Sequence, residues 1–327
     1  MKLLQEGPGS VQEGSDWPSP VAGDLAYLRT AIVNVIFWGR PQAGDRDWVL
    51  VDAGIAGSAA AIASSAERYF GPESRPSAIV LTHGHFDHVG GLPDLAEAWD
   101  VPIYAHELEF PYLTGRSPYP PPDPSVGGGL MAGLSWLYPR GPYDFRGRLR
   151  RLPEDGSVPG MRGWRWIHTP GHSPGHVSLF RDTDRSLIAG DAFVATKQES
   201  ALAVMMQRPE VHGPPAYYTI DWDAARRSVE ALAALEPSLA ITGHGPPMVG
   251  ESLVEGLHEL ARNFDHVAVP RHGRYVGRPA VADERGVVYV PPDVPHPVLL
   301  GAGAGAGVLA GMALASLLPR RRTEADH

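Results

Sequence analysis

Cysteine is absent from all 327 residues, which removes four chemistries at once. No disulfide, thiolate metal ligand, iron–sulfur cluster or cysteine nucleophile can belong to this chain. Positive charge is also short: 28 Lys and Arg face 37 Asp and Glu, a formal net charge of −9. A chain so charged offers no basic footprint to a nucleic-acid backbone, so no nucleic-acid partner is expected. The opening MKLLQEGPGSVQEGSDWPSP has no apolar core of signal-peptide length and reads as a solvated lead-in over residues 1–20. Long uncharged apolar runs are missing until residues 298–318, a stretch of 21 residues followed by Arg320, Arg321 and Arg322.

Glycine and proline are plentiful, at 38 and 33 residues, and they punctuate apolar runs that recur along most of the chain. Many turns and long loops follow from that, rather than disorder. Residues 26–39 and 48–54 read as paired strands about the turn PQAGDRD, and 56–70 as an Ala-rich helix. A strand at 77–82, a helix at 91–100 and a strand from 101 follow. Residues 114–128 are Pro- and Gly-rich loop, and 129–138 a short helix. GWRWIHT, HVSLF, RSLIAGD and SLAIT read as strands, while 221–236 and 251–264 carry apolar residues at helical spacing. Strands and helices alternating in this way predict an α/β or αβ-layered domain over residues 21–265. Residues 266–297 read as an irregular extension, 298–318 as a transmembrane or membrane-anchoring helix and 319–327 as a basic tip. A helix of about 20 apolar residues suffices to span a bilayer. With no signal peptide, the expectation is a cytoplasmic enzyme held at the membrane by that C-terminal anchor.

Four apolar segments each run into a metal-ligand residue type. IVLT precedes His83-Gly84-His85-Phe86-Asp87-His88, WIHTPG precedes His172, SLIAG precedes Asp191, and LAITG precedes His244. Loops at strand ends can converge on one rim of a rigid sheet. If these do, five imidazoles and two carboxylates meet. A catalytic zinc takes three protein ligands and keeps a position for water, so seven ligands divide as three for each of two metals with one carboxylate bridging. Imidazole and carboxylate without thiolate suit two Zn2+, and are compatible with iron or manganese. Two metals ~3.5–4 Å apart lower the pKa of a bound water towards ~7. The expected nucleophile is then a metal hydroxide, with His83, His85 and Asp87 nearest the chemistry.

These residues resemble the metallo-β-lactamase superfamily over most of residues 20–265. His83, His85, Asp87 and His88 match its signature loop, TPGHSPGH (169–176) its next metal motif, and Gly190-Asp191 and TGHG (242–245) the remaining two. The resemblance implies an α+β fold, the αββα sandwich, with the site along one edge of the paired sheets. It implies that His83, His85 and His172 hold a first metal, that Asp87, His88 and His244 hold a second, and that Asp191 bridges. Asp52 in VLVDAG resembles a family aspartate near the metal loop, and it and His176 are read as outer hydrogen-bonding partners. His106, His168, His212, His258, His266, His272, His296 and His327 are simplest as ordinary surface or core histidines.

TPGHSPGH with HFDH is similar to the lactonase and glyoxalase II branches, which implies hydrolysis of an ester, lactone or thioester of a small molecule. ITGHGPP departs from glyoxalase II around the last histidine, and no glutathione-binding helical region is evident. The alternative is a mononuclear iron oxidoreductase resembling persulfide dioxygenases, which the complete second ligand set disfavours. The substrate wall is expected from residues 112–145 and 205–218, with Tyr112, Tyr119, Trp136, Met205, Met206, Tyr217 and Tyr218 suited to an apolar cleft. Tyr217 or Tyr218 could supply a hydroxyl, and Lys197, six residues past Asp191, could reach an anionic group.

Overall fold

The computed structural model describes residues 18–293. The lead-in up to residue 17, the apolar 298–318 segment and the basic tip lie outside the described residues. Among the described residues no helix is long and apolar enough to cross a membrane.

Among the described residues, fourteen strands form two large sheets and a hairpin. The first sheet runs in sequence order: β1 (Ser19–Ala22), β2 (Leu25–Thr30), β3 (Val33–Trp38), β4 (Val49–Val51), β5 (Ala78–Val80), β6 (Ile103–Ala105) and β7 (Leu149–Arg151). It is antiparallel from β1 to β4 and parallel from β4 to β7. The second comprises β8 (Trp164–His168), β9 (Val177–Arg181), β10 (Ser186–Gly190), β11 (Leu239–Thr242) and β12 (Met248–Val249), in the order β12-β11-β10-β9-β8. The hairpin is β13 (Val281–Asp283) with β14 (Gly286–Tyr289). The α-helices among the described residues are α1 (Ala59–Phe70), α2 (Phe86–Val89), α3 (Leu92–Trp99), α4 (Phe110–Leu113), α5 (Leu130–Gly133), α6 (Ala201–Met206), α7 (Trp222–Ala233) and α8 (Glu251–Val267).

Alternation along the strands decides the layering, because successive side chains leave opposite faces of a sheet. Val49 and Val51 of β4 and Val80 of β5 meet Val177, Leu179, Ile188 and Ile241 in the core between the sheets. Their neighbours Leu50 and Ile79 face the other way, onto Ile62 and Ala66 of α1 and Leu92 and Leu95 of α3. In the second sheet Leu187, Ala189 and Ala240 face outward onto Val229 and Leu232 of α7 and Leu253 and Leu257 of α8. The order is helix, sheet, sheet, helix, the αββα sandwich.

Two stretches differ from what the residues alone suggested. Residues 26–39 are a hairpin, not one strand: Ala31 turns the chain with φ of 60° and Thr30 Oγ1 donates to Val33 O at 3.3 Å. Ala-Ile carries none of the Gly, Asn or Asp that marks such a turn. The extension from residue 266 is partly regular and packs on the domain. Tyr275 is buried in the α7–α8 core, Ala280 N donates to Ile220 O at 3.0 Å, and Val287 N donates to Ser117 Oγ at 3.2 Å.

The α1–α3 face is organised on Trp48, which is fully buried, stacks on Phe70 with centroids 4.5 Å apart, and meets Trp99 edge-on at 5.5 Å. Its Nε1 donates to Ser74 Oγ at 2.8 Å. Trp48→Ala should therefore cost about 3–5 kcal/mol, the range for emptying a large buried aromatic site. Trp136, 63% exposed, should change stability by under ~0.5 kcal/mol on the same replacement. Urea denaturation of the two variants checks this, and equal midpoints would contradict the packing account.

Candidate metal centre

Strand direction brings the predicted residues to one edge. β4 and β5 run parallel, and their C-terminal ends carry Asp52 and the His83–His88 loop. β10 and β11 are also parallel and end at Asp191 and His244, while β8, two antiparallel steps from β10, ends before His172. All seven ligand-type residues are buried at that edge. Three interlocking groups have their ligand atoms within 4.8 Å of one another: His83, His85 and His172; His83, His88 and Asp191; Asp87, His88 and His244.

Hydrogen bonds behind the rings settle which nitrogen faces the centre. Thr82 Oγ1 donates its proton to Asp52 Oδ2 at 2.8 Å, so at 3.1 Å it must accept from His83 Nδ1. That leaves a lone pair on His83 Nε2. Likewise His88 Nδ1 donates to Asp52 Oδ2 at 2.8 Å and His244 Nδ1 donates to Ile32 O at 2.6 Å. Their Nε2 atoms turn inward, and His244 Nε2 lies 3.1 Å from Asp191 Oδ2 and 3.4 Å from Asp87 Oδ2. Asp191 N donates to His176 Nε2 at 2.8 Å, so His176 uses Nδ1 to donate to Thr169 Oγ1 and takes no direct part in the cluster. Asp52 and His176 are thus placed behind the ligand-type residues, where fixed partners set ring orientation and tautomer.

Asp52 reaches two loops because its backbone takes the left-handed conformation, φ 61°. Such strain in a non-glycine residue persists only when its surroundings hold it, and Thr82 N donating to Asp52 Oδ1 at 2.8 Å is part of that hold. Gly243 is required for a different reason. A Cβ there would lie 2.0 Å from Asp191 Oδ1 and 2.8 Å from His88 Cε1.

The electrostatics suit a cation. Burial, reinforced by neighbouring imidazoles, holds His83 and His85 well below the usual histidine range, and burial lowers His172 to about 4. These rings are neutral, as ligands must be. Burial also opposes charge on His88 and His244, but Asp191, with Asp52 beside His88, raises both. Asp191 is held well below the carboxylate range by His244 and His88 despite its burial, whereas burial raises Asp87. The fit is visible in the buried atoms too: His88 Nε2 and Asp191 Oδ1 have no hydrogen-bond partner. His83 Nε2, His85 Nδ1 and His172 Nε2 converge at 3.0 Å spacings. Nitrogen and oxygen ligand atoms gathered this closely could hold a metal ion.

The expected substrate wall is assembled only in part. Tyr218 stacks on the His85 ring with centroids 4.4 Å apart and planes at 29°, and Tyr119 meets the same ring edge-on at 4.6 Å. Tyr217 is buried against Tyr218, and Tyr112 stacks on Tyr119. Trp136, Met205 and Met206 instead stand largely in solvent, Met206 being 58% exposed. Lys197 lines a separate 880 Å³ cavity beside Glu199, His212 and α8, whose walls include none of the seven ligand-type residues. Phe86 and Tyr138, which residue patterns did not single out, continue the Tyr218 wall at 5.1 Å from each other. Glu109 was also missed, and it is a fully buried carboxylate beside the site.

A family model described as the metallo-beta-lactamase superfamily matches residues 30–244. The chain belongs to that superfamily. It is 47% identical over 258 residues to the probable metallo-hydrolase YflN of Bacillus subtilis (strain 168), covering 79% of this chain and 97% of that protein. A shorter match, 32% identical over 133 residues, covers 37% of this chain and 37% of a hydroxyacylglutathione hydrolase from Xylella fastidiosa (strain M23). Among solved structures, an archaeal superfamily protein from Sulfolobus tokodaii aligns at a TM-score of 0.49 and 18% identity, over 91% of this chain and 96% of that one. The chain is accordingly a metallo-hydrolase of the superfamily, with a His/Asp cluster suited to a divalent metal.

The packing around Gly243 makes a sharp expectation. Gly243→Ala should destabilise the fold by about 1–3 kcal/mol, as overpacking a filled site does. Gly147→Ala, with nothing within 4 Å of the added carbon, should be close to neutral. Thermal unfolding of the two variants compares them, and an unperturbed Gly243→Ala protein would refute the close approach.

Proposed function

We propose that the chain is a binuclear hydrolase, with two Zn2+ held by the seven ligands, acting on an ester, lactone or thioester carbonyl of a small substrate. The observation that carries this reading is the convergence of free imidazole and carboxylate lone pairs into three interlocking groups. His83, His85 and His172 would hold one metal and Asp87, His88 and His244 the other, with Asp191 between them. When bound, two such cations supply an activated water and polarise the carbonyl. The chain's own residues do the rest. Asp52 and Ile32 O fix the ring tautomers, the buried edge excludes bulk water, and Tyr218 covers the outer face of His85. Support for the acyl substrate class comes from the TPGHSPGH and HFDH motifs and from the similarity to a hydroxyacylglutathione hydrolase. The apolar wall of Tyr218, Tyr138 and Phe86 and the acidic net charge suit a small, uncharged acyl group better than a polyanion.

A screen of lactones, thioesters, β-lactams and phosphodiesters, with the metal identified in the same sample, tests this. Turnover of an ester, lactone or thioester that a chelator abolishes is expected. One iron per chain with oxygen uptake would replace the proposal with a persulfide dioxygenase-like reaction. His83→Ala, Asp191→Ala and His244→Ala should lower bound metal and turnover together, by more than the ~10–100-fold that follows loss of an outer hydrogen-bonding partner. His258→Ala should change neither. Full activity in His83→Ala or Asp191→Ala would sink the assignment.

Tyr218 makes a separable expectation. Tyr218→Ala should shift the preference between small and bulky acyl substrates by about tenfold, the effect of ~1.4 kcal/mol of lost contact, while metal content stays at the wild-type level. Unchanged preference would remove Tyr218 from the substrate wall.

A further inference from the structure

Glu109 closes a 3-10 turn, Glu107–Glu109, that follows β6. Among the described residues no ion pair is formed by Glu109, which is fully buried. Each of its carboxylate oxygens serves a different loop. Oε1 accepts from Ser173 Oγ at 2.8 Å and from Gly175 N at 2.8 Å, in the loop that carries His172. Oε2 accepts from Gly84 N at 3.0 Å, between His83 and His85, and from Tyr119 Oη. Tyr119 in turn lies edge-on against the His85 ring. The two loops come from different sheets, β5 leading into one and β8 into the other. Val177 N donating to Thr82 O at 2.9 Å joins the two strand ends behind these loops, and Glu109 joins the loops themselves, where His85 Nδ1 and His172 Nε2 lie 3.0 Å apart. The second group is served differently: His88 and His244 are fixed by Asp52 and Ile32 O, and no hydrogen bond joins Glu109 to Asp87, His88 or His244.

We infer that Glu109 is a positioning residue that clamps the His83–His85 loop to the His172 loop and thereby sets the geometry of one metal position and not the other. The inference rests on the two-metal reading above. A carboxylate is the group this position needs, because two backbone N–H groups that can only donate, Gly84 N and Gly175 N, approach its two different oxygens. An amide would turn its NH2 towards one or the other whichever way it was set, and a buried N–H without an acceptor is costly. Glu109→Gln is nearly isosteric, so it tests the second oxygen with little change in packing.

The experiment is competitive titration of the metal-free full-length chain with Zn2+ against a chromophoric chelator, alongside Co2+ loading followed by visible absorption. His172→Ala and His244→Ala provide the spectra of the second and first positions alone. Wild type should take up two ions. Glu109→Gln should weaken only the first position, by about 10–100-fold as outer partners of metal ligands do, and alter only its Co2+ bands. Ser173→Ala, which removes a single donor from Oε1, should act in the same direction more weakly. It decides the matter if Glu109→Gln does not fold. Equal weakening of both positions, or none, in a folded variant would overturn the clamp and leave the hydrolase reading standing. A wild-type chain that binds no ion would instead overturn the two-metal reading and the clamp with it.

Discussion

Three imidazole nitrogens meet in a region shielded from water, with His85 Nδ1 lying 3.0 Å from both His83 Nε2 and His172 Nε2. Neutral rings cannot satisfy one another in that arrangement, since a pair that shares a proton leaves the third without one. An uncompensated buried polar group costs free energy, and this edge of the protein gathers several. The rest of the structure is organised around that constraint. Asp52 accepts from Thr82 and His88, Ile32 O takes the far proton of His244, and His176 is turned away by the Asp191 amide. The contacts behind His83, His88 and His244 fix each of those rings so that its Nε2 faces inward. The folded chain spends its hydrogen bonds on keeping those inner positions free for a cation.

The sandwich makes this feasible because the cost falls at a sheet edge and not in the core. The apolar contacts of β4, β5, β10 and β11 are complete before the polar residues begin. Ligand-bearing loops then start from strands whose positions are already set by two layers of packing. The β2–β3 hairpin adds a contribution from the antiparallel half of the first sheet. Asn34 Nδ2 donates to Thr242 O at 2.9 Å and Gly245 O at 2.7 Å, which ties the loop of His244 to the opposite sheet. The hairpin's turn, placed by the positive φ of Ala31, is also what delivers Ile32 O to His244.

Much of this was legible in the sequence, for identifiable reasons. Residues 77–82 and 238–242 are short apolar runs that end abruptly in ionisable residues, and that contrast reveals strand, edge and ligand together. Asp52 was legible through the resemblance of VLVDAG to a family segment near the metal loop. Glu109 was not. It stands in AHELEF beside another glutamate, and nothing local distinguishes a carboxylate that turns inward to four donors from one in solvent. Its partners are 10 to 66 residues away: the parallel pairing of β5 with β6 brings it to Gly84, and the packing of the second sheet on the first brings Ser173 and Gly175. The Ala31 turn was hidden by residues that usually extend a strand. Lys197 and Met206, candidate substrate contacts from the sequence, lie respectively at a separate cavity and in solvent.

The two halves of the cluster differ in how they are braced, and this bears on how the fold can vary its substrate. His88 and His244 are held by Asp52, just past β4, and by Ile32 O, in the β2–β3 turn. His85 is held between aromatic rings, Tyr119 edge-on at 4.6 Å and Tyr218 stacked at 4.4 Å. Tyr119 belongs to a loop pinned by Glu109, and Tyr218, whose hydroxyl donates to Pro139 O at 3.5 Å, to a loop tied at Tyr217 O by Asp123 N at 2.7 Å. Tyr138, beside it, belongs to the Pro- and Gly-rich stretch between β6 and β7. Loops tolerate substitution and insertion far better than strand ends do. Change confined to Tyr218, Tyr138 and their neighbours would therefore reshape the wall over His85 without moving Asp52, Thr82 or the ring tautomers they set. On the proposed reading, reaction chemistry and substrate choice are carried by different elements, the first by the sheet edge and the second by the loops that lean over it.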